Sequence, residues 1–159
     1  LYRLGSTRGR LEEAPDLSES IHALVVVNEA DVWIANLLSG KGQHILDPGP
    51  IIRFRAPILS DSTDDYWSRL EYGCEVRFMT ELGVEGVRSA DDESIQYAHE
   101  HEGVRVVLRT SPAGVPQRLD VTRPEVVYSI TYQVYEHRAP DLSLFEKPHG
   151  IEFSEPKSE

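Results

Sequence analysis

The chain holds 159 residues, a length that suits one domain of about 100 to 200 residues. Its 16 Lys and Arg against 27 Asp and Glu leave a formal net charge of −11, which repels nucleic acid and anionic lipid. A single cysteine, Cys74, excludes an intrachain disulfide, and no apolar run approaches a membrane span. With no charged-then-apolar signal segment at its start, the chain is expected to be cytoplasmic.

In chain order, residues 1–20 are polar, carry Gly5, Gly9 and Pro15, and keep no sustained period, so they are expected to form an irregular arm. Residues 21–27 and 31–38 are rich in Val, Ile and Trp and are separated by Asn28-Glu29-Ala30, a hairpin signal. A turn at Ser39-Gly40-Lys41-Gly42 leads to a short strand at 43–46, and Asp47-Pro48-Gly49-Pro50 breaks it. Residues 51–56 alternate, with Ile52, Phe54 and Ala56 opposite Arg53 and Arg55, until Pro57 ends the run. An acidic loop follows at 60–65.

Residues 74–82 are expected to form a strand with Cys74, Val76, Phe78 and Leu82 on one face and Glu75, Arg77, Met79 and Glu81 on the other. Further strands are expected at 84–88, 95–99, 104–109 and 117–122. The longest is expected at 125–136, where Val126, Tyr128, Ile130, Tyr132 and Val134 share an apolar face. From Arg138 onward the pattern fades into a Pro-rich tail that Leu142, Leu144 and Phe145 can dock. Nine or ten short strands and no helical period of useful length give an all-β barrel or sandwich at 21–137, between an arm at 1–20 and a tail at 138–159.

The stretch Ser111-Pro112-Ala113-Gly114-Val115-Pro116-Gln117 resembles the Pro-x-Gly turn of the second motif of the cupin superfamily, with Gln117 in place of its metal-binding His. The spacing Arg69-x-Glu71, three residues, then Glu75 and a later Gly83 is similar to the first cupin motif, and of its usual ligands only Glu75 remains. The resemblance covers about 55 residues and implies a jelly-roll barrel whose interior is lined by Arg69, Glu71, Gly73 and Glu75, with Arg77 and Gln117 nearby. On a strand these four alternate residues would indeed share a face.

In that frame Glu71 and Glu75 are candidate acid and base, since neighbouring charges move carboxylate pKa values in opposite directions. Arg69 or Arg77 would hold an anionic group, with Gln117 nearby as a ligand contact. The same residues also suit an exposed strand face of paired charges, which contributes little. Apart from the cupin frame, Trp33, Tyr128, Tyr132 and Tyr135 suit core and cross-strand packing, and Tyr128 and Tyr132 alternatively suit a sugar- or aromatic-binding wall. His99-Glu100-His101-Glu102 is the most metal-like string: on a strand His99 and His101 project from one face. A metal there would need a third ligand such as Glu75, His137 or His44. Cys74 is expected to be a buried structural thiol.

Three functions follow. The first is a metal-free, cofactor-free cupin-like protein that binds a small polar or aromatic molecule in its barrel, with isomerase- or lyase-type proton transfer open to it. The second is a non-catalytic interaction module, docked as a homodimer or on a partner protein through arm and tail. The third is a metal-dependent dioxygenase or isomerase built on His99 and His101.

Overall fold

A computed structural model describes residues 1–47, 54, 66–139 and 141–154. The chain is mostly β, with two sheets of six and five strands, and it divides into two compact units. The first comprises residues 1–54 and 139–159, the second residues 55–138. Among the described residues no helix is long and apolar enough to cross a membrane.

The first unit is built on the expected hairpin. β3 (Ala23–Asn28) and β4 (Asp31–Asn36) pair antiparallel with Val26 opposite Trp33 and Leu24 opposite Ala35, and those four side chains are its buried cluster. β5 (Lys41–Leu46) adds to β4. The irregular arm must be corrected: residues 1–20 contain β1 (Tyr2–Leu4) and β2 (Arg8–Glu12), and β2 pairs with β3. Short polar strands of this kind lack the alternating apolar run by which a strand is recognised in sequence.

The tail is corrected likewise. A 3-10 turn, Leu142–Phe145, buries Phe145 in the first unit, and β11 (Glu152–Ser154) pairs parallel with β5. Phe153 of β11 packs on the buried cluster, and the Gly42–Ala35 pair makes room for it: a Cβ at Gly42 would lie 2.7 Å from the Phe153 ring and 2.6 Å from the Ile34 carbonyl.

The second unit carries an antiparallel meander, β6 (Val87–Arg88), β7 (Ile95–His101), β8 (Val104–Thr110), β9 (Pro116–Arg123) and β10 (Val126–Thr131), in which sequence neighbours are sheet neighbours. Directly opposed residues share a face. The rows Tyr97–Leu108–Leu119–Ile130 and His99–Val106–Val121–Tyr128 therefore lie on one side. Val106, Leu108, Leu119 and Val121 are fully buried there beneath Trp67, Leu70, Phe78 and Met79.

Those covering residues come from a 3-10 turn, Trp67–Arg69, and from α1 (Glu75–Glu81). The strand expected at 74–82 is thus a helix. Its buried stripe is Glu75, Phe78 and Met79 with the half-buried Leu82, the i, i+3, i+4, i+7 pattern of a helix face, and Gly83 follows its C-cap with φ of +74°. The expected strand at 125–136 is also shorter, because pairing with β9 ends at Thr131. The strand expected at 51–56 and the acidic loop at 60–65 lie, apart from Phe54, outside the described residues.

Candidate functional site

The helix changes what the residues around Glu75 can do. Arg69, Glu71, Gly73 and Glu75 do not share a strand face: Arg69 ends the 3-10 turn and Glu75 opens α1. Arg69 and Arg77 both turn to Glu81, at 2.9 and 3.5 Å, and both are well exposed. Glu71 is half-buried, and its carbonyl accepts from the Cys74 N–H in the turn before α1. Cys74, the N-cap position, is half-buried rather than fully so.

Glu75 is different. It is 1% exposed, and its carboxylate accepts from the Gly73 N–H at 3.0 and 2.9 Å and from the Tyr132 hydroxyl at 2.7 Å. The structure therefore brings together two of the residues singled out in the sequence, from positions 57 apart. Among the described residues, no Lys, Arg or His pairs with this carboxylate. A carboxylate stripped of water and compensated only by neutral donors is costly to bury. Its place at the first turn of α1 offsets some of that cost, since amide dipoles favour negative charge at a helix start.

Two further tyrosines surround the pair. Tyr135 packs edge-on against Tyr132, with ring centroids 6.0 Å apart and planes at 74°. Tyr72 is half-buried; burial, and then the charge of Glu75, push its phenol up to about 12. Tyr132 is raised further, by burial first, then by the Glu75 charge and the hydrogen bond to it, with Tyr72 and Tyr135 adding in the same direction. Tyr72 and Tyr132 therefore present neutral phenols near neutral pH. Among the described residues, a Cβ placed at Gly73 would meet only the Tyr135 hydroxyl, at 4.0 Å.

The arrangement offers a buried carboxylate, a phenol donor and tyrosine rings. It can bind a polar group, and Glu75 can accept a proton while Tyr132 stabilises the carboxylate.

The remaining candidates stand elsewhere. Gln117 is exposed, and it is its backbone carbonyl that accepts from the Tyr132 N–H, at 3.0 Å. Tyr128 is 42% exposed at the sheet edge opposite Val121 and makes no hydrogen bond to Glu75 or Tyr132.

His99 and His101 do share a face of β7, but they join an aromatic stack. Tyr66 lies parallel to His101 at 3.8 Å and to His99 at 5.8 Å, and its hydroxyl hydrogen-bonds to His99 Nε2. Trp67 tilts against both. His44, in the first unit, pairs with Asp31 at 2.7 Å and stacks on Trp33, and His137 meets Tyr135 edge-on. Among the described residues no group of three or more His, Cys, Asp or Glu is placed to hold a metal ion.

Sequence reasoning missed Tyr66 and Tyr72, and assigned Tyr135 only to packing. Their partners lie far off in the chain, so no local spacing marks them. A glutamate on an otherwise apolar helix face is a signal of a partnered buried charge, but it is usable only once the short helix itself is recognised. No family model matches the chain, and no curated protein is similar to it.

Proposed function

We propose that the second unit is a small-molecule-binding module whose ligand meets Glu75 and Tyr132 between the rings of Tyr72 and Tyr135. One observation carries this reading: a carboxylate 1% exposed is held by neutral donors alone among the described residues. Charged side chains are almost never buried to that degree unless paired, and clusters of this kind are found preferentially at functional sites. Proton-transfer chemistry on the bound molecule is within reach of the same pair, with Glu75 as base.

The reading does not depend on the cupin resemblance, because the first-motif register falls on a 3-10 turn and a helix. A jelly-roll barrel is not required either: the site is framed by α1, the turn before it and the segment after β10. For the interaction-module alternative, the arm and tail contribute β1, β2 and β11 to the first sheet, while the apolar strand that also suggested it, β10, is an edge strand with Val126, Val127 and Tyr128 exposed.

The test is a screen of small polar and aromatic fragments against the full chain by saturation-transfer NMR, repeated with Tyr132→Phe. Binding that weakens at least fivefold in the variant supports the site. A panel that binds both proteins equally, or neither, contradicts it.

A further inference from the structure

The chemistry around Glu75 selects one sign of charge. Among the described residues, every polar group that touches the carboxylate is neutral, so within that set its negative charge is left unbalanced. The nearest arginines in sequence, Arg69 and Arg77, are committed to Glu81. An anionic ligand would thus meet like charge with no Lys, Arg or His against the carboxylate among the described residues; His137 meets the Tyr135 ring edge-on instead. The surrounding rings act in the same direction, because the face of an aromatic ring carries negative potential and attracts cations, most strongly where water is excluded.

Tyr132 and Tyr135 stand at 74° to each other, so the two rings form adjoining walls, and Tyr72 lies close enough to Glu75 to feel its charge. Tyrosine rings in edge-to-face contact, one of them hydrogen-bonded to a buried carboxylate, supply the groups from which aromatic cages for methylated ammonium are built. The chain's net charge of −11 also raises the local concentration of cations.

We infer that the Glu75 site takes a small organic cation, an alkyl- or methylammonium group whose charge meets the carboxylate and whose methyl groups meet the tyrosine rings. This rests on the binding reading above and narrows it to one ligand class.

The experiment titrates the full chain with choline, its neutral isostere 3,3-dimethyl-1-butanol and the anionic 3,3-dimethylbutyrate, by calorimetry. Choline is expected to bind saturably, at least tenfold more tightly than either counterpart. Glu75→Gln is expected to lose at least tenfold in choline affinity. Should that variant fail to fold by circular dichroism, Tyr135→Leu, which alters a half-exposed ring, is expected to lose most of the preference for choline over the neutral isostere.

Equal or tighter binding of the neutral or anionic counterpart by the wild-type chain overturns the inference. If choline does not bind but neutral fragments bind in a Tyr132-dependent way, the cation inference falls and the binding reading stands. If neither choline nor any fragment binds, both fall.

Discussion

The two units hold polar side chains in opposite ways. In the first, the buried cluster of Leu24, Val26, Trp33 and Ala35 is apolar apart from the Trp33 indole N–H, and histidines pair with carboxylates at its margins, His44 with Asp31 and His22 with Glu12. In the second, a carboxylate and its phenol donor lie beside the core of Trp67, Leu70, Phe78 and Met79. Packing alone accounts for that cluster, although the first unit also buries a carboxylate, Asp47, at 4% exposure. It does not account for the second, where an apolar residue at position 75 would continue the helix stripe without a desolvated charge. On the proposed reading, the binding chemistry lies in the second unit and the first serves as a scaffold.

That contrast can be broken by substitution, and one tryptophan in each unit, Trp33 and Trp67, reports on it. Tyr132→Phe has the largest expected effect. It removes a hydrogen bond to a buried charged group and should destabilise the second unit by about 1.5–3 kcal/mol in urea denaturation. A loss below about 0.5 kcal/mol, where surface substitutions fall, would show that the Glu75 carboxylate is not held by Tyr132.

Gly42→Ala is the matching change in the first unit. The added methyl group meets a backbone carbonyl as well as the Phe153 ring, so overpacking should cost about 1–3 kcal/mol. Ligand binding should be unchanged while the fold persists. Reduced binding in folded Gly42→Ala protein would contradict the division of roles.

The next effect is one of pH. Tyr72 ionises near 12 in the fold against an ordinary value of 10.0, so between these values the unfolded chain has released a proton that the folded chain keeps. Its stabilising contribution is complete below about pH 10 and is lost as pH rises to about 12. Absorbance titration of the phenolate should show this late step. Glu75→Gln should bring it partly back toward 10, because burial, the larger cause, remains. A Tyr72 step already near 10 in the native protein would contradict the buried charge beside it.

The smallest effect is expected at Arg69→Ala. Its pair with Glu81 is exposed at both ends, so stability should change by less than about 1 kcal/mol and ligand binding not at all. A tenfold loss of affinity would return Arg69 to the site.

Much of the sheet structure was legible because it obeys period 2. The hairpin of β3 and β4 and the strands β7, β8 and β9 fall close to where alternation places them. α1 was not recognised, because a seven-residue helix shows barely two turns of period and its first stripe position is occupied by Glu75. Alternation also carried β10 past its end: Val134 continues the apolar pattern, yet it is 73% exposed and lies beyond the last pair with β9.

Of the candidate site, Glu75 and Tyr132 were named from the sequence by different reasoning, and only the tertiary structure joins them. Tyr72 and Tyr135 had no local mark, since what distinguishes them is proximity to a buried charge.

The most direct test is a titration of tyrosine-ring labelled protein with choline, followed by NMR. The account predicts that the ring resonances of Tyr72, Tyr132 and Tyr135 move together and saturate, while those of Tyr2, Tyr66 and Tyr128 stay in place. Movement of Tyr2, Tyr66 or Tyr128 with the other three unaffected would place any binding elsewhere and contradict the account.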